Sequence, residues 1–403
     1  LASANVAGRS ASAELKQLLD SPEIAELISG LQATRWTGRP GYPVRTMVGL
    51  ALAKSLYALP TWTKTVALVR EHWGLQRALG CEGNPPSVYA AYRFQEKLRD
   101  NAAMVERCID SVVEGLKAKR PSYGTDLAID ASDMPAYANG HTYTLDGRER
   151  KRFSDPDASW GHRSAVSVRK GGSFYGYRLH LASCANTGLP VAWQVETAKE
   201  YEGWVAPPLL DTALRRGAMA ATVAMDKGYD TEGVHAACAE RNCLPVIPLK
   251  QTTGVKRGEH LPPVCDHGEW RFAGSDRKRG ASKWRCPTGE CKPASTWIKA
   301  DRLHPLIPYK SKRWKAMYRK RGAVEREFGK LKHEWGLGPL RVRGLDRVRL
   351  HADLTVLTKL ACALSRARTG ANHPRNGRGS SSPTAKRSHR EDGRARREAP
   401  MRA

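Results

Sequence analysis

At residue 126 the texture of the chain changes, and the order of the elements beyond it leaves few folds open. Upstream, residues 11–120 place apolar side chains at spacings of three and four, as in Glu14-Leu-Lys-Gln-Leu-Leu and Glu23-Ile-Ala-Glu-Leu-Ile. That period predicts amphipathic helices, with further helices expected over 44–57, 63–73 and 105–117 and one entered through Pro85-Pro86-Ser87. Downstream, short strands are predicted over 127–132, 173–181, 189–196, 221–226 and 244–249. Helices over 204–215 and 231–241 separate the last of them. The order β, ββ, α, β, α, β predicts a mixed α/β sheet with helices packed on it, preceded by an all-α unit ending near Pro121. Polar residues 138–170 are expected to form a loop with little regular structure. Residues 250–312, rich in Gly, Pro, Cys and Trp, read as an insertion. A single strong helix is expected over 314–334, and one or two more over 345–367. Residues 369–403 combine Gly, Ser, Pro and Arg without an aromatic, a composition that predicts a disordered tail.

The chain carries 67 Lys and Arg against 40 Asp and Glu, a net of +27. Eleven of those cations and three of those acids lie in 366–403, so a net of +19 remains on the body. A basic body points to a polyanionic partner, and nucleic acid is the commonest, since each neutralised phosphate releases counterions. No apolar stretch approaches the ~20 residues of a membrane span. The first residues lack the basic-then-apolar order of a signal peptide. Nine cysteines, an odd number and mostly scattered, fit a reducing compartment, so a cytoplasmic protein is expected. No G-x-x-x-x-G-K-[ST] occurs, so no nucleotide cofactor is implied.

Asp130 and Asp226 each close a short apolar strand, and carboxylates at the ends of neighbouring strands can converge above a sheet. Two such carboxylates repel each other unless a divalent cation lies between them, and Mg²⁺ is commonly held by a few carboxylates with substrate phosphate. A single Asp in such a place more often just starts the next turn. Tyr318, Arg321, Glu325 and Lys332 add a third element. At about 100° per residue they fall within an arc of about 60°, while Glu327 lies on the opposite side. An acid among Arg, Tyr and Lys beside a core edge suits a metal ligand that also meets phosphate; a surface helix laced with ion pairs has the same pattern.

Tyr318-x2-Arg321-x3-Glu325-x6-Lys332 resembles the signature helix of bacterial insertion-sequence transposases of the DDE type, in the branch named for those four residues. Asp226-Lys-Gly-Tyr229 is similar to that family's second-aspartate motif, and Ile129-Asp130-Ala-Ser to its first-aspartate strand. The N-terminal helical unit, with Gly38-Arg-Pro-Gly-Tyr-Pro43 and Tyr92-Arg-Phe94, resembles the N-terminal domain of such enzymes. The resemblance implies a ribonuclease-H-like catalytic domain over 121–365, carrying the 250–312 insertion, after a DNA-binding domain over 11–120. It implies that Asp130, Asp226 and Glu325 hold two Mg²⁺ ions, that Arg321 and Lys332 grip transposon-end phosphates, and that Tyr318 supports the DNA near the cut. It also implies terminal inverted repeats and target DNA as partners, a homodimer in the synaptic complex, and a nucleoid-associated protein. Asp133 and Asp230 are second choices for the triad. A catalytically inactive DNA-binding protein and a metal nuclease of the same fold are the rival functions.

In the insertion, Cys265-x-His267 and Cys286-x4-Cys291 offer four soft ligands in two pairs, with Trp270, Phe272, Trp284 and Trp297 as a small core. Tetrahedral Zn²⁺ accepts three Cys and one His. Neither pair has the C-x2-C spacing, and free thiols on a basic insertion are the other reading. Either way the basic and aromatic content suits DNA contact. Trp193 and Trp204 are assigned to the core, with stacking on a flipped base as the alternative. His141, His162 and His180 are read as isolated surface or hydrogen-bonded residues.

Overall fold

The computed structural model describes residues 11–34, 41–140, 143–145, 148–150, 154–163, 170–250 and 262–370. Most of the tail, part of the Gly38–Pro43 cluster and His141 lie outside them. Seven helices come first: α1 (Ala11–Leu19), α2 (Pro22–Ala33), α3 (Val44–Leu56), α4 (Trp62–Glu71), α5 (Trp73–Leu79), α6 (Val88–Asp100) and α7 (Ala102–Lys119). Their ends follow local chemistry. The Ser87 hydroxyl accepts from Ala90 N at the start of α6, and Thr61 does the same for Lys64 N at α4. Gly80, at φ +67°, ends α5 in the left-handed conformation that favours glycine.

The main sheet begins with β1 (Asp126–Pro135); β2 (Tyr143–Leu145) and β3 (Arg148–Arg150) form a separate two-stranded sheet, and the main one continues with β4 (Ser159–Arg163), β5 (Gly172–Cys184) and β6 (Pro190–Thr197). Helix α8 (Glu202–Arg215), β7 (Thr222–Ala224), α9 (Glu232–Glu240) and β8 (Leu244–Val246) complete it. The order is β4-β5-β1-β7-β8, with β6 also pairing β5. β4 runs beside residues 172–176 of β5, and β6 beside 177–183, so the two share one edge of this long strand. β1 is antiparallel to β5, while β7 and β8 run parallel to β1. The expected loop over 138–170 therefore contains strands. The polar residues of β4 reflect an edge position open to solvent.

The insertion adds the ribbon β9 (Val264–Cys265) and β10 (Gly268–Glu269) and a three-stranded sheet of β11 (Arg271–Asp276), β12 (Ala281–Arg285) and β13 (Ser295–Lys299). The helix expected over 314–334 is two helices, α10 (Lys312–Tyr318) and α11 (Gly322–His333), joined by a 3₁₀ turn at Arg319–Arg321. The last helix, α12 (Leu345–Arg368), is unbroken. Its N-terminal amides are met by acids from the expected loop: Asp155 Oδ1 accepts from Gly344 N at 3.1 Å, and Asp157 Oδ2 from Leu345 N at 2.9 Å.

One apolar cluster runs from α1 through α12 to the sheet, including Leu19, Leu50, Val113, Leu181, Val195, Leu357 and Leu360. The N-terminal helices and the strands thus bury their faces on the same final helix. Polar ties cross the same boundary: Arg216 Nε to Asp110 at 2.8 Å, and Trp193 Nε1 to Asp353 at 2.7 Å. No described helix is long and apolar enough to cross a membrane.

Of the three histidines read as surface or hydrogen-bonded, His180 is buried instead, and His351 is largely buried as well. Among the described residues both ring nitrogens of His180 lack a partner, and burial pushes its pKa down from 6.5 to about 4. His351 lies between Lys54 Nζ and Leu337 O, and burial, aided by Lys54, pushes it to about 3. Folded-state pKa values below the unfolded value mean that the unfolded chain takes up more protons in this window. The stability is intact above about 6.5 and is lost as pH falls towards 4. His180 alone accounts for about 3 kcal/mol of that loss. Urea titrations at pH 7 and pH 4.5 check this: His180→Gln should show a smaller difference than the parent, and an equal difference contradicts it.

Candidate active site

β1 is longer than expected, so Asp130 lies in the middle of the strand and not at its end. Side chains alternate between the two faces of a strand, so Asp130 and Ser132 share one face and Asp133 lies on the other. Asp133 is there paired with Arg178 at 3.6 Å and Arg163 at 3.9 Å. β1 and β7 pair in parallel with Ala128 opposite Ala224. β7 ends at Ala224, and Asp226 lies two residues past it, near enough to Asp130 for its charge to raise the Asp130 pKa. Asp226 also caps the 3₁₀ turn Lys227–Tyr229, with Oδ1 accepting from Gly228 N at 2.7 Å. The turn-starting role and a place in the acidic cluster thus coexist.

Residue Glu202, at the first position of α8, joins them from the other side. Its Oε1 is 3.2 Å from Arg178 Nη1. Burial raises its pKa, Arg178 opposes that, and the charges of Asp226 and Asp133 add to it. Burial likewise pushes Asp130 up to about 7. Arg321 and the Ala131 amide pull it down, while Asp226 and Glu202 push it up again. Below lies Tyr229, fully buried, with its hydroxyl unpartnered among the described residues and its pKa raised by burial and by Glu202, Asp130 and Asp226. Sequence reasoning passed over Glu202, since nothing in its neighbours marks it. The signal is tertiary: α8 starts where β1 and β7 deliver their acids.

The signature helix packs on the Asp130 face. Replacing three helical steps by a 3₁₀ turn at about 120° per residue brings Arg321 under Tyr318 and keeps Glu325 and Lys332 within about 40° of both. The guanidinium of Arg321 lies 5.8 Å from the Tyr318 ring centroid. Tyr318 stacks on Trp314 at 4.7 Å, which fixes the other side of its ring. Arg321 donates from Nη1 to Asp130 Oδ2 at 2.8 Å and from Nη2 to Glu325 Oε1, so it bridges the first and third acids. Glu325 is half exposed at the start of α11. Lys332 Nζ donates to Ser132 Oγ at 2.7 Å and to the Asp133 carbonyl at 2.6 Å, tying α11 to β1. All six sequence-chosen residues therefore belong to one neighbourhood. Asp130, Asp226 and Glu325 do not meet within ligand distance of one another, since among the described residues only three cysteines bring ligand atoms within 4.8 Å. The donor set still fits a divalent cation: the neighbouring charge of Asp226 raises Asp130, and a cation relieves such repulsion.

The second-choice Asp230 has other work. Its side chain is fully buried, with Oδ2 accepting from Lys250 N and Arg302 Nη2, each at 2.7 Å, and Oδ1 3.1 Å from His235 Nε2. It fastens both stems of the insertion. Trp193 is buried as expected, but Trp204 is 71% exposed and packs edge-on against the exposed Tyr201, beside Glu202. Its helix buries the face that carries Val205, Leu209 and Leu210 instead. In the insertion, Cys265, Cys286 and Cys291 come together, whereas His267 rests on Glu290 at 3.2 Å.

Residues 123–358 match the family model described as "Transposase DDE domain", and residues 5–112 match one described as "Transposase domain (DUF772)". No curated protein matches. A solved structure similar to the chain is described as "Cryo-EM structure of piggyBac transposase synaptic complex with hairpin DNA", with 9% identity and a TM-score of 0.41 over 91% of this chain and 77% of that one.

Proposed function

The chain belongs to the family of transposases with a DDE domain, and from that premise we propose that it binds the terminal inverted repeats of its element and catalyses metal-dependent DNA cleavage and strand transfer. The observation that carries the reading is Asp130 on β1 lying within the electrostatic reach of Asp226, just past the parallel neighbour β7, with Arg321 bridging Asp130 to Glu325 on the signature helix. The order β6-β5-β1-β7-β8, with three antiparallel strands followed by two parallel ones, supports the ribonuclease-H-like assignment.

In this reading Asp130, Asp226 and Glu325 hold two Mg²⁺ ions. Bound there, the ions supply activation of the attacking water or 3′-hydroxyl and stabilisation of the leaving oxygen. Arg321, which bridges Asp130 and Glu325, would offset their charge and would be placed to meet a DNA phosphate at the same edge. Lys332 holds α11 in register with β1 and adds positive charge at the same edge. Tyr318, braced by Trp314, offers a fixed ring beside the cut strand. Residues 11–120 serve the terminal repeats, and a homodimer holds two ends together.

The outer face of the insertion sheet is suited to the DNA backbone. Lys283 sits opposite Trp297, and Arg285, Arg271 and Lys299 share the face by register. Trp297 is 42% exposed, with Arg279 and Lys283 over its ring. Cations interleaved with an exposed aromatic suit phosphate contact and stacking.

The test is a strand-transfer reaction with a labelled terminal-repeat duplex, a supercoiled target and Mg²⁺. Joined products that vanish with EDTA support the reading. Cleavage without joining would favour the nuclease, and binding without either would favour the inactive DNA-binding protein.

A further inference from the structure

Among the described residues, only Cys265, Cys286 and Cys291 form a group whose metal-ligating atoms all lie within 4.8 Å of one another. Cys265 ends β9, Cys286 follows β12, and Cys291 lies in the connection to β13. The Sγ atoms of Cys265 and Cys286 are 3.9 Å apart. A disulfide requires about 2.05 Å, and it would leave one thiol over. Four ligands in a tetrahedron at a Zn–S distance of about 2.3 Å place sulfurs about 3.8 Å apart. The spacing is that of thiolates around a common ion.

His267 lies in the β9–β10 turn, two residues from Cys265. Its Nδ1 is 3.2 Å from Glu290 Oε2, and Glu290 precedes Cys291 in the chain. With the proton on Nδ1 donated to that carboxylate, the lone pair is on Nε2. A carboxylate holding one ring nitrogen while the other meets a metal is the usual support of a ligating histidine.

We infer that the insertion binds one structural Zn²⁺ through Cys265, Cys286, Cys291 and His267 Nε2, with Glu290 orienting the imidazole. Three thiolates and a neutral imidazole complete a closed tetrahedral set, so the ion does no chemistry on DNA. It clamps the two-residue β9–β10 ribbon to the end of the β11–β13 sheet. That sheet's own core is small, chiefly Trp284 against Phe272, and a metal supplies what so little apolar burial lacks. The clamp fixes the Lys283, Arg285 and Trp297 face.

The full chain, purified without chelator, should contain about one zinc per molecule by mass spectrometry of the metal. Cys291→Ser should fall to background, while Cys81→Ser should not. If Cys291→Ser fails to fold, the parent still decides: stripped of metal and given Co²⁺, it should show a thiolate-to-cobalt charge-transfer band and intense tetrahedral d–d bands. His267→Ala should shift the d–d bands and weaken binding by about ten- to a hundredfold. Absence of both zinc and the cobalt bands, or a disulfide among these cysteines in the unreduced protein, overturns the site. Unchanged d–d bands in His267→Ala overturn the fourth ligand.

Discussion

Replacing Asp130 by Asn is expected to abolish strand joining, by about a thousandfold or more, without destabilising the protein. A metal ligand lost from the reacting centre removes charge stabilisation that no neighbour restores. The stability half follows from the site's electrostatics. Burial and the nearby acids push Asp130 up to about 7, so the folded state disfavours its charge. Between about 3.8 and about 7 the folded chain holds a proton that the unfolded chain has released, so stability falls as pH rises across that window. Asn carries no charge to bury and can still accept from Arg321. Denaturation at pH 7 should therefore find Asp130→Asn as stable as the parent or more so. Asp226→Asn should lose joining equally and keep its stability, because the Asn oxygen can still accept from Gly228 N and cap the Lys227–Tyr229 turn. Terminal-repeat binding, read by gel shift, should survive in both. Joining within tenfold of the parent in either variant would remove these residues from the centre.

The second large effect concerns folding. Glu327 and Lys359 are almost wholly buried, and their charged ends meet at 2.7 Å between α11 and α12. Burial raises the Glu327 pKa and lowers that of Lys359, each opposed by its partner. Desolvation consumes most of what such a pair gains, yet either charge left alone is costly. Lys359→Met or Glu327→Leu should each lose about 3–5 kcal/mol, whereas the double variant should come back to near the parent. Urea denaturation of the three variants measures this. Additive losses in the double variant would mean that the two side chains do not act as a pair. The sequence had already placed Glu327 opposite the signature face; what it could not show is that α12 covers that side.

Much of the architecture was legible because it is local. Ser87 after two prolines announced α6, Asn186-Thr-Gly188 announced the β5–β6 hairpin, and the apolar runs gave β1, β7 and β8. The periodicity of 318–332 put the signature residues on one face even though the helix is broken. The 3₁₀ turn escaped notice because Arg319-Lys-Arg321 is neither Gly- nor Pro-rich; contact with β1, through Lys320 to Asp126 and Arg321 to Asp130, accompanies the change in winding. What stayed hidden is nonlocal. β4 looks like a loop until β5 supplies its partner. Glu202 is one acid among many until α8 sets it beside Asp226. Trp204 carries the same size and apolarity as Trp193, but Trp193 lies on the covered face of β6, whereas Trp204 lies on the face of α8 that the sheet leaves open.

The most direct test of the account is Glu325→Gln. The substitution keeps the helix, leaves an oxygen to accept from Arg321, and removes one negative charge from a half-exposed position where stability should hardly change. The measurement is joining of a pre-cut terminal-repeat duplex to a supercoiled target in Mg²⁺, with Glu334→Gln, an acid beyond the C-terminus of the same helix, as the control. The account predicts that joined product disappears in Glu325→Gln and persists in Glu334→Gln, with terminal-repeat binding equal in both. Joining at the parental rate in Glu325→Gln would contradict it, because a third metal ligand whose charge is dispensable is not a ligand.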